Sequence, residues 1–560
     1  MVQVAASSYH RPPALPAATL RLCTLLATVP LSGVRQPKGD ARHPLGMPSA
    51  ISSDEWDLPR LKASIGFEDD YNYLSHRLPS DDQDTEFFDV KFYPYADATH
   101  DPVFAAVSKK HVVIYRLTSK ANPPYELVQL FRDDDKEALN CSCTWTKDPE
   151  TEIPYLCVAG RDAKIKVYDV VHGKLVKVLV GHGGEINDLA TCPTNFLLIA
   201  SASEDTTVRI WSLDPAHSKQ PCVCLLAGEG HTSGLLTVAF HNGGRYVLSA
   251  GHDNVICLWT LPNLPTESNG KNPPKPIVIH YPHFFTSEVH SGIVDCVAFF
   301  GDLVLSRACH EDIIVLWRIE GFSSRDPPPE ISEAPTTSDT ERLTRSAFAP
   351  ATASACPPQY TRLLEFWTPH CGHQFYLRFK LFHDKDKHPV LAFGNAKSMI
   401  FFWDLARLGS YYDFISEVRD PNRDKSQPIN RPGWLAPINH RHKGDTVSKL
   451  KDAASDRESV TSGRTGSVDA EMHVDPNTNY SPETLDSWEL KYDMTRVEEP
   501  IRAHAQSNIT VKDFVGRQVA WSAGGEWCVV VGSKNLAIIL QRWAKKDSAD
   551  DKEKKPSQDR

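Results

Sequence analysis

Thirteen cysteines are scattered along the 560 residues without a single CxxC pair. That spacing usually opens a zinc site, so no structural metal is expected. Alternating thiols such as Cys141-Ser-Cys143 and Cys222-Val-Cys224 read instead as buried, reduced strand residues. There is no excess of basic charge: 61 Lys and Arg stand against 71 Asp and Glu, a net −10. The global electrostatic footprint of a nucleic-acid binder is missing, and no direct sequence-specific contact to nucleic acid is expected. No apolar run is long enough to span a membrane. The best, Leu20–Leu31, contains Arg21 and Pro30 and follows Pro16. No nucleophile elbow, phosphate-cradling glycine loop or paired-carboxylate motif occurs, so the reading is of a non-enzyme without a cofactor.

A repeat is present between Gly181 and Trp317. It runs GHGGEINDLA…SASEDTTVRIWS, GHTSGLLTVAF…SAGHDNVICLWT, VHSGIVDCVAFF…SRACHEDIIVLWR. Each unit opens on a His, passes two strands, turns on an acidic residue and closes on an alternating strand ending in Trp. The closing residues Trp211, Trp259 and Trp317 are 48 and then 58 residues apart, one β-propeller blade plus its loop. A four-stranded blade cannot bury both faces alone, so blades pack around an axis until the ring closes. His182, Asp205 and Trp211, then His231, Asp253 and Trp259, read as hydrogen-bonded struts. Glu311 takes the acidic place in the third unit. These sets recur once per repeat, whereas a catalytic set would occur once.

The fold class is all-β: a seven-bladed WD40 β-propeller with a disordered N-terminus and two long disordered insertions. Residues 1–60 read as a disordered or gene-model extension, with Met47 as an alternative start, and 61–86 as an acidic lead-in. The propeller is drawn over 87–543, with insertions at 320–358 and 406–497, and a disordered tail follows at 544–560. Within it, Phe87–Leu117 reads as blade one, Leu127–Val170 as blade two, Leu363–Leu405 as blade six and Ile501–Trp543 as blade seven. Asp420–Thr484 is too polar to form a core of its own. Ring closure is expected to pair a strand from residues 80–92 with the last blade.

At IHYPHFFTSEVHSGIVDCVAFFGDLVLSRACHEDIIVLW the chain resembles the Extra sex combs / embryonic ectoderm development family, the WD-repeat subunit of Polycomb repressive complex 2. The likeness extends to GHGGEINDL, GEGHTSGLLTVAF, QFYLRF…LAFGN…WDL and RQVAWS, and covers most of residues 86–543. It implies a nuclear scaffold without chemistry of its own. Such a scaffold holds an N-terminal helix of a SET-domain methyltransferase subunit of the Enhancer of zeste type. It also implies a zinc-finger, VEFS-type partner of the Suppressor of zeste type. On the other mouth it implies an aromatic cage for the trimethylated histone H3 tail, whose occupation stimulates the methyltransferase. A general WD40 adaptor, such as a ubiquitin-ligase substrate receptor, is the alternative.

A trimethylammonium donates no hydrogen bond, so it is held by ring faces. The innermost strands end in Phe92, Trp145, Phe240, Phe299, Phe379 and Trp521, and residues three or four earlier share one rim. By resemblance Phe88, Phe375 and Tyr376 match cage positions. Phe375 stands for the family's Trp, and Cys141 falls where the family has Tyr. Asn187, Asp295, Arg378 and Arg517 match positions that contact the peptide. His370–His373, with Cys371 inside it, is too short a cluster to suggest a metal.

Overall fold

A computed structural model describes residues 56–66, 86–96, 100–133, 138–264, 275–336, 343–349, 358–420, 422–424, 429–437, 480–496 and 499–543. The segments expected to be disordered at 1–55, 438–479 and 544–560 lie outside the described residues. The described strands form seven sheets, one per blade. The innermost strands are Phe87–Phe92, Asn140–Lys147, Ile186–Cys192, Leu235–Phe240, Val294–Phe300, Lys380–Asp384 and Gly516–Trp521. Large side chains fill the spaces between blades: Trp211, Trp259, Trp317, Trp403 and Phe393 are fully buried. No helix among the described residues is long and apolar enough to cross a membrane.

Blade boundaries differ from repeat boundaries by one strand. Tyr125–Arg132 is the outermost strand of blade one, Tyr360–Trp367 of blade five and Ala505–Asn508 of blade six. The boundaries drawn at Leu127, Leu363 and Ile501 therefore divide sequence repeats, not sheets. Each repeat lends its first strand to the blade before it, so neighbouring blades are stapled by the chain itself.

The same device closes the ring, with a different strand from the one expected. Arg60–Gly66 pairs antiparallel with Leu536–Gln541 of blade seven, while Phe87–Phe92 forms the inner edge of blade one. The closing strand was hard to see because it is mostly exposed, with Ile65 its one buried residue. Asp57 reinforces it, its carbonyl accepting a 3.1 Å bond from the buried Arg542 Nε. Removing residues 1–66 is expected to destabilise the chain by on the order of 3 kcal/mol, through the lost Ile65 burial and ladder bonds. A melt monitored by circular dichroism checks this; an unchanged midpoint would show that the strand is dispensable.

A loop between repeats and both insertions contribute structure. Ile277–Ile279 adds a parallel fifth strand to blade three. Thr344–Ser346, within 320–358, adds a fifth to blade four, where Thr344 and Thr286 hydroxyls meet at 2.7 Å. In 406–497 the structure departs further from the expected coreless loop. Helix α1 (Leu405–Arg419) starts directly from blade six, with the Asp404 carboxylate capping Ala406 N at 3.0 Å. Its Tyr411, Phe414, Ile415 and Val418 recur at helical spacing. They pack with Leu435 and with Leu485, Trp488 and Tyr492 of α2 (Pro482–Tyr492). Most of these residues flank the polar stretch rather than lie in it, which is why that stretch alone suggested no core.

Candidate functional site

The recurring His sets are struts by geometry. His182 Nδ1 lies 2.8 Å from Asp205, and its Nε2 lies 2.6 Å from Ser201 Oγ. Trp211 Nε1 donates to the same hydroxyl at 2.8 Å. His231, Asp253 and Trp259 repeat the pattern around Ser249, with Nε2 and Nε1 each 2.8 Å from its Oγ. His290, Glu311 and Trp317 repeat it around Ser306. The serines Ser201, Ser249 and Ser306 are the hubs that sequence reasoning left unnamed. The strut rings are buried and their polar atoms are spent on one another, which suits a structural brace rather than chemistry.

All three struts hold a depressed carboxyl, and the third illustrates the pH signature. Burial works to raise the Glu311 carboxyl, but hydrogen bonds from His290 and Ser291 outweigh it and hold it at about 2. A depressed carboxyl contributes stability that is complete above its unfolded value and lost as pH falls toward the folded one. Glu311→Gln is therefore expected to flatten the acid limb of the stability curve between about pH 4.5 and 2. Denaturant titrations across that range check it. An acid limb identical to that of the unaltered chain would refute the assignment.

The opposite end of the structure's interest is the rim where the innermost strands begin. On six of the seven, pairing slips at the second residue. The slips fall between Phe87 and Asp89, Asn140 and Ser142, Ile186 and Asp188, Leu235 and Thr237, Val294 and Cys296, and Gly516 and Gln518. The residues left over are Phe88, Cys141, Asn187, Leu236, Asp295 and Arg517. A bulge of this kind re-aims one side chain and ends the pairing, and it recurs at barrel rims and beside binding sites. Five candidate positions, with Leu236 as a sixth place, are thus one structural position repeated around the axis. The remaining blade, blade six, supplies Tyr376 from the irregular segment 368–379 that precedes its inner strand, in a left-handed conformation with φ 62°.

Around that rim Phe88 is half-buried and the Phe375 ring is 46% exposed. Phe375 and Tyr376 stand 5.7 Å apart at 56°. Tyr376 reaches across the axis, its hydroxyl donating to the Asn187 carbonyl at 3.3 Å. Burial, and after it the neighbouring Cys141, pushes that hydroxyl well above its usual range, so it stays a neutral donor. Cys141 is itself buried, its thiol pushed up to about 12 by burial and then by Glu185.

Four candidate contacts already have partners within the chain. Asp295 is wholly buried and pairs with the equally buried Arg307 at 2.6 Å. It faces inward because Arg307, twelve residues on, fills the space beneath it. The Asn187 amide is spent inside, donating to Glu204 at 2.7 Å and to the Leu235 carbonyl at 2.8 Å. Arg378 is buried under Tyr376, with its guanidinium carbon 4.9 Å from the ring centre. It pairs with Asp188 at 2.9 Å and donates to the Leu236 carbonyl at 2.6 Å. Arg517 donates to Glu86 at 2.6 Å and to the Phe375 carbonyl at 2.7 Å.

Beneath the rim lies a polar network that sequence reasoning missed. Lys91 Nζ donates to the Leu189 carbonyl at 2.6 Å and sits 3.4 Å from Asp89 and 3.9 Å from Asp188. Asp89 accepts from Ser142 at 2.8 Å, Cys143 N at 2.9 Å and Gln518 at 3.0 Å. Burial acts to raise the Asp89 carboxyl, yet Lys91, then Arg378, and these bonds hold it below the usual range. The signal was available: a polar residue directly after each bulge on blades one, two, three, four and seven. His310 and His373 face each other at 2.7 Å, and no group of three or more potential metal ligands gathers among the described residues.

The model for the WD domain, G-beta repeat, matches residues 173–212 and 222–260. The chain is 48% identical to the Polycomb protein EED of Chaetomium thermophilum over 563 residues, covering 89% of this chain and 98% of that one. The chain belongs to the Polycomb EED family. It is 31% identical to the Polycomb protein esc of Drosophila melanogaster over 261 residues, covering 44% of this chain and 59% of that one. Among solved structures it superposes on a chain of the Chaetomium thermophilum polycomb repressive complex 2 with a TM-score of 0.74 at 50% identity, covering 88% of this chain and 100% of that one. It matches a chain of ctPRC2 in complex with H3K27me3 and H3K27M with a TM-score of 0.75, again at 50% identity, with the same coverage of both chains. Within the EED family fold, Phe88 occupies a strand bulge at the mouth, and Phe375 and Tyr376 lie in the irregular segment before the inner strand of blade six.

Proposed function

We propose that this chain is the non-catalytic scaffold and histone-tail reader of a nuclear, Polycomb-type histone H3 methyltransferase complex. The reading is supported most by one arrangement: Phe375 and Tyr376 stand ring beside ring, Arg517 ties the Phe375 carbonyl to Glu86 two residues before Phe88, and a buried, charge-balanced floor lies beneath. Ring faces hold a trimethylammonium by cation–π attraction and apolar contact. The floor matters because Arg378 lies under the Tyr376 ring, and Asp188 neutralises it before a second cation arrives. Cys141 supplies no ring, so three aromatics carry the site.

The relative solved with H3K27me3 supports the trimethylated H3 tail as the ligand. Partners of the Enhancer of zeste and Suppressor of zeste types follow from the kinship with Polycomb complexes. Stimulation requires only that the peptide bind the active arrangement of the complex more tightly than the inactive one. Purification of the tagged chain from its own cells tests the assignment. Recovery with a SET-domain subunit supports it; recovery with a cullin-type ligase and no SET-domain protein would favour the adaptor.

A further inference from the structure

We infer that Arg517, anchored by Glu86, is a positioning residue for the aromatic mouth and not a contact to the peptide; the inference rests on the reader role proposed above. Two of the three rings come from segments far apart in sequence. Phe88 follows Glu86 by two residues at the start of blade one. Phe375 lies in segment 368–379, which has neither helix nor strand and takes left-handed φ at His370, Gly372 and Tyr376. One guanidinium joins them. Its Nε donates to Glu86 Oε1 at 2.6 Å, and its Nη1 donates to the Phe375 carbonyl at 2.7 Å. The Arg517 carbonyl in turn accepts the Arg378 amide at 2.8 Å, fixing the far side of Tyr376.

Tyr376 is held by its own hydroxyl, but Phe375 has an exposed ring. Among the described residues, no other hydrogen bond holds its main chain. Arg517 is therefore what sets the Phe375 ring relative to Phe88. The guanidinium is largely committed, with its side chain 14% exposed and that of Glu86 23% exposed. A charge-assisted bond to a carboxylate fixes both the place and the plane of the fork. An approaching lysine-rich tail would meet a guanidinium whose charge Glu86 already balances.

The test is a double-mutant cycle on the full chain with Glu86→Gln, Arg517→Lys and both together. Each is titrated calorimetrically with trimethylated and unmethylated H3-tail peptides and checked by thermal melting. Each single change is expected to weaken the trimethylated peptide on the order of tenfold, and the double to be no weaker than either single, because both break one clamp. Binding of the unmethylated peptide stays unchanged. If Glu86→Gln binds like the unaltered chain while Arg517→Lys weakens both peptides, Arg517 touches the peptide and the inference falls. Additive losses overturn it too. If Arg517→Lys does not fold, Glu86→Gln decides alone. An unaltered chain with no preference for methylation would instead overturn the reader role, and so is distinguishable.

Discussion

Asp295→Ala lowers the melting temperature by on the order of 5 °C, the largest stability effect expected of any single change considered. Asp295 and Arg307 are each 0% exposed and pair at 2.6 Å. Burial acts against the Arg307 charge, and Asp295, followed by Cys371, holds its proton above the usual range. Arg307 also donates to the Leu377 carbonyl at 3.3 Å and lies beside the Cys371 thiol. Taking the carboxylate away strands a guanidinium in an apolar space, which costs about 3–5 kcal/mol. Replacing both residues by apolar ones of similar volume, Asp295→Leu with Arg307→Met, should recover much of the loss, since a buried pair is worth little more than good packing. Scanning calorimetry separates the cases. A shift under about 2 °C for Asp295→Ala would mean the pair is not buried as a pair in solution.

The second large effect is on binding. Tyr376→Ala should weaken the trimethylated peptide on the order of a hundredfold, with little change for the unmethylated one. It removes a cation–π partner and the apolar contact of its ring, together about 2–3 kcal/mol. It also vacates the ring that covers Arg378. Tyr376→Phe keeps the ring and loses only the 3.3 Å bond to the Asn187 carbonyl, so a loss of roughly threefold is expected. Fluorescence anisotropy with labelled peptides gives both numbers. Equal losses for Ala and Phe would mean that the hydroxyl, not the ring face, does the binding.

Much of the architecture was legible because a propeller writes its period into the chain. The His, acidic and Trp places of three struts followed from spacing, and the count of seven from adding the strand-like segments on either side of them. What spacing cannot carry is which residue faces which. Asp295 and Arg307 look like any rim carboxylate and any strand arginine until the bulge between Val294 and Cys296 turns the first toward the second. The closing strand Arg60–Gly66 hides because it buries one residue. The α1–α2 pair hides because its core is divided between two flanks of a polar stretch. The mouth itself was half legible. Phe88, Phe375 and Tyr376 were found by resemblance and strand register, but the shared bulge that makes Phe88, Cys141, Asn187, Asp295 and Arg517 equivalent is a property of pairing, marked in the sequence only by the polar residue that follows it on five of the six strands.

The central claim is that three rings and a neutralised floor are enough to prefer a trimethylated lysine where Cys141 replaces a ring. Calorimetric titration of the full chain with unmethylated and trimethylated H3-tail peptides tests it most directly. A preference of at least about tenfold for the trimethylated peptide is the predicted result. Equal affinity for both, or binding of neither, would contradict it and leave a scaffold without a methyl-lysine site.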